Sequence, residues 1–335
     1  MKGFSIIVCC YNSEKLLPAT LSMLAVLKIS PLFPVELIVI DNASTDATAS
    51  IAKNIWQQFG QPFPLKSIAE TKPGLSYARL AGISAAQFEN LVFCDDDNRL
   101  HENYLIEAIK IFETNNSIGA LGGIGTGISD IEIPSWSNAF QLFGCGAQAM
   151  QTGEARVLYG AGVIIKKPVF EKLLAAGFCF HLTDRKKEKL SSGGDYELCY
   201  AIKMCGYKAW YNSEMKFEHY IHPARLTFSY YKKYIHDTSI SNNVLSVYTA
   251  LLSSPKITYT KFTFQQIKQL LSHLKADFIF SFKYFFLRLS GKQYLQIYFA
   301  LYYHLLRTRQ VLVYIFTSKK DFTSIKTLAE NMKKI

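Results

Sequence analysis

The apolar positions follow two rhythms. Short runs dense in β-branched and aromatic residues recur at Phe4–Cys10, Val35–Ile40, the weaker Leu65–Ala69 and Asn90–Cys94. Between them, over 13–27, 47–59, 75–86 and 102–112, apolar residues return at helical spacing. Short continuous runs fit strands buried on both faces, and the longer periodic stretches fit helices that cover them. Their alternation predicts βαβ units, a mostly parallel sheet flanked by helices, and right-handed crossovers. Asn12 and Ser13 precede the first helical stretch and Ser44 and Asp46 the second, so these residues are expected as caps.

After Gly119 the texture changes. A glycine-rich stretch, Gly119–Gly127, leads into a polar and aromatic loop that ends near Trp136. Val157–Ile165 predicts a strand pair, or one long strand bulged at its glycines. Residues 194–206 predict a helix, 207–211 a strand, and the chain beyond Thr227 mostly helix. The expected organisation is an α/β domain over 1–226 and a helical region over 227–335.

Composition sharpens that division. The chain has 335 residues, 49% of them apolar, which excludes a disordered protein. Its formal charge of +11 is uneven. Residues 1–227 carry 21 basic and 22 acidic side chains, whereas 228–335 carry 16 basic and 4 acidic ones. A near-neutral body is therefore joined to a tail of net +12 that also holds 22 of the 47 aromatic residues. Charge confined to the tail, with no nucleic-acid motif, argues against a nucleic-acid partner. The seven cysteines form no CxxC pair, and a reducing, cytosolic setting is expected. No window is long and apolar enough for a clean membrane span.

Three clusters carry chemistry. Asp95, Asp96 and Asp97 follow directly on an apolar strand, and ligands of open α/β sheets sit beyond the carboxyl ends of strands. Asp95 and Asp97 are expected on the same side of an extended segment, where such crowded carboxylates need a cation. A hard ion such as Mg2+ or Mn2+, sharing its coordination with a diphosphate, fits. Asp41 closes the second apolar run, with Ser44 and Asp46 just beyond. In Ser192-Gly193-Gly194-Asp195-Tyr196-Glu197, two glycines precede a carboxylate at a helix start, a place where Asp195 is favoured and where it can serve as a general base.

The order CYNSE, VELIVIDNASTD, KPGLSYARLAG, FCDDDN and GGDYELCYAIKMCGYKAWY resembles a family 2 glycosyltransferase of the GT-A fold, over about residues 1–225. That resemblance implies an inverting transfer from a nucleotide-sugar, often a UDP-sugar, with Mn2+ or Mg2+. It implies that Cys10, Tyr11, Asn12 and Glu14 form the turn that cradles the nucleobase, and that Asp41 contacts base or ribose. Gly74 and Arg79 would close over the base. Asp95 and Asp96 fall on the nucleotide-sugar side and Asp97 on the metal side. Asp195 would be the catalytic base, with Glu197 in a customary second acid position. The family commonly has an acid directly before that base, where this chain has Gly194, so acceptor recognition through Gly194 departs from the family pattern, whereas Glu197 keeps it as a further acceptor candidate.

Further candidates surround this set. In FEHYIHPARL, His219 is favoured over His222 as an additional metal ligand, and Arg225 has the planar fork for a diphosphate. The charged run Asp184–Lys189 is either a solvated loop or a lid carrying Arg185 and Lys186. Trp136 is a candidate stacking partner for an acceptor sugar. In the tail, Phe278, Phe282, Phe285, Phe286 and Leu289 share one helical stripe. Leu295, Tyr298, Phe299, Tyr302, Leu305 and Leu306 make a second, with Arg307 opposite. Such stripes flanked by Lys and Arg suit an anionic membrane surface contacted through 228–335; the alternative is a helical subdomain packed on the body or on a second copy.

The reading is a peripheral enzyme on the cytoplasmic face of the plasma membrane, acting on a glycan or lipid-linked acceptor in bacterial surface-polysaccharide assembly, with a homo-oligomer open. A sugar-phosphate nucleotidyltransferase, or a silent nucleotide-sugar-binding scaffold, is the alternative.

Overall fold

The computed structural model describes residues 1–136, 143–182, 193–290 and 295–335. It divides into two compact units. The first comprises Met1–Ile133, Gln141–Ala175 and Ala201–Pro223, and the second Pro134–Phe140, Ala176–Tyr200 and Ala224–Ile335.

The first unit is built on one sheet. β1 (Phe4–Cys10), β2 (Val35–Asn42), β3 (Leu65–Glu70) and β4 (Asn90–Asp95) are parallel, in the spatial order β3-β2-β1-β4. α1 (Leu17–Ala25), α2 (Thr48–Gln58) and α3 (Leu75–Ala85) connect or cover them. Ile6, Ile7, Val8 and Leu37 through Ile40 are wholly buried, as runs without polar interruption require when both faces of a sheet are covered. Beyond β4 the sheet is mixed. β8 (Ile164–Lys166) is antiparallel to β4 and to β6 (Ile118–Ile128), and β6 is parallel to β9 (Lys208–Tyr220). β5 (Asn98–Leu100) and β7 (Gly153–Glu154) are antiparallel to β9. α4 (Tyr104–Thr114) and α5 (Lys167–Ala175) complete the unit.

Several expectations are revised here. The glycine-rich stretch that starts at Gly119 belongs to strand β6, because the backbones it crosses are too close for side chains: a Cβ on Gly123 would lie 1.9 Å from the Met215 carbonyl oxygen. Only the end of 157–165 is strand. Gly162, at φ 70°, turns the chain there, and its carbonyl accepts from the buried Tyr104 hydroxyl at 2.6 Å. β9 is also much longer than 207–211 and runs on to Tyr220.

The second unit is helical. α6 (Gly194–Met204) crosses the dividing line, and α7 (Phe228–Ser239), α8 (Ser241–Ser253), α9 (Tyr259–Leu289), α10 (Leu295–Thr317) and α11 (Lys319–Met332) lie within it. Thr227 and Thr258 accept from the amides of Tyr230 and Lys261 and so cap α7 and α9. Its core draws on Val247, Tyr248 and Leu251 of α8, Phe299, Val311 and Tyr314 of α10, and Phe322, Ile325 and Leu328 of α11. Arg307 corrects the expectation for α10. Its guanidinium is 1% exposed, and Nη1 donates to the Ser239 carbonyl at 2.9 Å, Asn243 Oδ1 at 2.8 Å and Gln310 Oε1 at 3.0 Å. Among the described residues, no helix is long and apolar enough to cross a membrane.

Candidate active site

The strand order reverses around β1: the chain moves from β1 to β2 and β3 on one side and returns to β4 on the other. The C-terminal ends of these strands face the crevice such a reversal opens. Register brings Cys10 beside Asp41 and Cys9 beside Asp95. The polar residues that follow then bond to one another instead of starting helices. Asn12, at φ 52°, donates its amide to Ser44 Oγ at 3.0 Å, while its Oδ1 accepts from the Thr45 amide at 2.8 Å. Ser13 donates its amide to Thr48 Oγ1 at 2.8 Å. The Glu14 amide donates to Asp46 Oδ2 at 3.1 Å, and Glu14 Oε2 accepts from the Ala47 amide at 3.2 Å. Burial acts to raise the Asp46 pKa, but the Thr48 hydroxyl and the amides of Glu14 and Thr48 outweigh it and hold the carboxyl below its usual range. Asp41 Oδ1 accepts from the Ser44 amide at 3.2 Å. The expected cap at Asn12 or Ser13 is therefore corrected: α1 begins only at Leu17, with a proline in its first turn.

Tyr11 is 62% exposed at this end of β1. Cys10 is not available in the same way. Its thiol is buried in the hydrophobic core, and burial pushes its pKa well up, so only its backbone borders the crevice.

The acid triplet does not stay extended. β4 ends at Asp95, and Asp96 and Asp97 form the tight turn into β5. Asp96 Oδ2 accepts from the Ser13 hydroxyl, and its carbonyl accepts from Thr20 Oγ1 at 2.6 Å, which ties this turn to the one after β1. The β5–β9 register pairs Asn98 with His219, and the Tyr220 amide donates to the Asp97 carbonyl at 2.8 Å. His219, 7% exposed, thereby sets Nε2 3.4 Å from Asp97 Oδ1, whereas His222 is exposed. Burial alone would depress the His219 pKa; hydrogen bonding to Asp97 and to Cys145 outweighs it and pushes the value up to about 10.

This donor set fits a divalent ion. One carboxylate and one imidazole offer a hard oxygen and a nitrogen suited to Mn2+. Among the described residues no group of three or more His, Cys, Asp or Glu side chains is arranged to hold an ion alone, so a bound ion would complete its coordination with substrate oxygens.

Asn42 was not among the sequence candidates. It is 5% exposed and reaches the 70–74 loop, donating to the carbonyls of Glu70 at 3.3 Å and Lys72 at 2.6 Å and accepting from the Gly74 amide at 2.7 Å. Gly74 sits at φ 138° and directly precedes α3, a backbone conformation that a side chain rarely adopts. Arg79, one turn into α3, lays its guanidinium over the Phe93 ring at 5.7 Å. The one sequence signal for Asn42 is its place beside Asp41.

The second unit holds the remaining candidates. Asp195 lies in the first turn of α6, half-buried, and accepts from the Tyr196 amide at 2.9 Å. Gly194 is buried beside it. Glu197 is fully buried. Its oxygens accept from the amides of His181 at 3.0 Å and Leu182 at 2.9 Å and from the Tyr248 hydroxyl at 2.9 Å, and pair with His181 Nδ1 at 3.1 Å. That corrects its proposed acceptor role: the carboxylate is consumed in holding 181–182 and α8. Trp136 packs on Phe228 and Tyr231, ring centroids 4.6 and 5.7 Å away. The run Asp184–Lys189, with Arg185 and Lys186, lies outside the described residues.

The family model described as Glycosyl transferase family 2 matches residues 5–174. Among solved structures, the mannosyltransferase PcManGT from Pyrobaculum calidifontis, in complex with GDP-Man and Mn2+, aligns with a TM-score of 0.60 and 16% identity over 92% of this chain and 86% of that one. GalNAc-T7 with UDP, GalNAc and Mn2+ aligns with a TM-score of 0.52 and 13% identity over 70% of this chain and 47% of that one. TarS 1-349 of S. aureus, in complex with UDP-GlcNAc, aligns with a TM-score of 0.49 and 20% identity over 66% of this chain, which spans 58% of that one. At these identities the likeness to the first two is one of fold.

Proposed function

The chain belongs to the family 2 glycosyltransferases and has their GT-A fold, and from that premise we propose that it transfers a sugar, with inversion, from a UDP-sugar to a hydroxyl of a glycan or lipid-linked acceptor. The observation that carries this reading is the Asp97–His219 pair beside the acid-lined ends of β1, β2 and β4. Tyr11 offers an exposed ring to the base. Asp41 and Asp95 offer carboxylates to ribose hydroxyls. Asn42 fixes the loop before α3, and with it the approach of Gly74 and Arg79. Asp97 and His219 would hold Mn2+ or Mg2+, which supplies charge neutralisation to the departing diphosphate.

Asp195 takes the proton of the acceptor hydroxyl as its oxygen bonds to the anomeric carbon, while the bond from that carbon to the diphosphate breaks on the opposite face. Asp195 sits in the first turn of α6, half-buried, with one carboxylate oxygen accepting from the Tyr196 amide, a place that favours a carboxylate. The basic tail supports work at the cytoplasmic face of a plasma membrane, near a lipid-linked acceptor of bacterial surface-polysaccharide assembly.

A thermal-shift panel of nucleotide-sugars, with and without Mn2+, tests the donor half. A UDP-sugar is expected to raise Tm with Mn2+ present, and slow release of nucleoside diphosphate should follow without acceptor. No shift with any donor overturns the reading. Binding without turnover in any acceptor extract leaves a nucleotide-sugar-binding scaffold instead.

A further inference from the structure

The 31-residue helix α9 is built the wrong way round for a helix of a soluble subdomain. Part of its polar content is turned inward, Gln266 toward Ser246 of α8 and His273 and Asp277 toward α10. Gln266 is 3% exposed, His273 and His304 bring their Nδ1 atoms to 2.9 Å, and Asp277 Oδ2 accepts from Thr308 Oγ1 at 2.6 Å. Its aromatic side faces outward. Phe264, Leu271, Phe278, Phe282, Phe285 and Leu289 are each more than half exposed, with Phe278 at 76%. Rings on this side hold one another, Phe282 and Phe286 with centroids 4.5 Å apart. An apolar face of this extent marks an interaction site.

The charge beside it identifies the partner. Phe264, Leu271, Phe278 and Phe285 recur every seven residues, and Lys261, Lys268 and Lys275 recur at the same interval beside them. Stripe and basic edge therefore drift together around the helix. Lys283 and Arg288 are exposed farther along, and the one acid of α9, Asp277, faces inward. A second copy laid on this face would bring two sets of cations together with no exposed acid on the helix to offset them.

We propose that the outer face of α9 lies flat on an anionic lipid surface, its aromatic rings in the headgroup–acyl boundary and its lysines against the phosphates. A helix of this length spans about 46 Å, more than the hydrocarbon thickness of about 30 Å, and its polar inner face suits lying in the plane rather than crossing it. α10 turns Phe299, Arg307, Val311 and Tyr314 into the helical unit, and its exposed apolar residues lack the heptad-spaced lysines that edge α9. The anionic lipid surface is thus the partner within the membrane-bound reading above, on which the proposal rests.

Flotation of the full chain with vesicles tests it. The protein should float with phosphatidylcholine–phosphatidylglycerol vesicles and sink with phosphatidylcholine alone, and high salt should release it. The variant F278S/F282S/F285S should sink. K261Q/K268Q/K275Q should lose about a hundredfold in partitioning, at roughly fivefold per lysine. F316S, at an exposed position of α10, should float as the parent does. Equal flotation of the triple Phe variant and the parent overturns the proposal, as does a parent that never floats. In the latter case, light scattering that reports a dimer broken by the Phe changes identifies a second copy as the occupant. Donor hydrolysis without vesicles should be unchanged in every variant, so failed flotation leaves the transferase reading intact, and lost hydrolysis by the parent overturns that reading alone.

Discussion

The strand-end crevice and the α9–α10 pair use polar side chains for opposite ends. At the ends of β1, β2 and β4, carboxylates and amides cluster at the edge of a dry apolar sheet, bond to one another across turns, and remain partly open to solvent. Between α9 and α10, His273, Asp277, His304 and Thr308 meet inside, while Phe264, Phe278, Phe282, Phe285 and Phe286 of α9 lie outside. In the first region polarity marks where a ligand binds. In the second it is architecture, and apolarity marks the surface that meets a partner. The face on which a polar residue sits carries more information than its presence.

That contrast can be broken most directly at two neighbouring acids of α6. Asp195→Asn should fold and bind donor with an unchanged Tm, yet lose about a hundredfold to ten-thousandfold in turnover, the range of a positioned general base. Near-normal turnover removes Asp195 from the mechanism. Glu197→Ala should do the reverse. Removing a buried carboxylate that holds two amides, a tyrosine and a histidine should cost about 3–5 kcal/mol, read by chemical denaturation, while the molecules that remain folded keep their donor affinity.

The metal pair sharpens the first region. Chelation and Asp97→Ala should each lower donor-dependent turnover by at least about tenfold, and added Mn2+ should rescue the chelated protein but not the variant. Rescue of both excludes Asp97 as a ligand. A smaller effect is expected at Asn42→Ala, which releases three hydrogen bonds to the 70–74 loop. It should cost about 2 kcal/mol and raise the donor KM several-fold with kcat nearly kept; a fall in kcat alone contradicts a positioning role.

The smallest effect concerns pH. Hydrogen bonding to Glu197 raises the His181 pKa above its ordinary 6.5, against the opposing pull of burial. A raised folded value means that the contribution is fully present below about 6.5 and is lost as pH rises through the folded value. Denaturation midpoints should therefore fall over that window, and His181→Gln should flatten the slope.

Much of the first unit was legible because its strands are buried on both faces. Such strands must be continuous apolar runs, and the polar residues that end them must lie at the sheet's carboxyl edge. Val35–Ile40 followed by Asp41, and Asn90–Cys94 followed by Asp95, state this in the sequence. Expectations failed where one residue type serves two purposes. Ser13 has the chemistry of a cap, yet its hydroxyl reaches across to Asp96, and Asp46 both accepts from the Thr48 amide at the start of α2 and ties down the Glu14 amide. The glycines of β6 carry no strand signal of their own, because what excludes side chains there is Met215, which lies far along the chain.

By itself the sequence determined the four parallel strands of the first 95 residues and the helices between them, the family, and the three clusters of acids, because backbone preference and apolar periodicity are local. Only the tertiary structure decided that His219 rather than His222 meets Asp97, since this depends on the pairing of β5 with β9. It alone turned the Cys10 thiol into the core, hooked Asn42 onto the loop before α3, and buried Arg307. The same holds for α9. Periodicity told which of its residues share a face, but which face is covered is settled by the neighbours, and here α10 took the polar one.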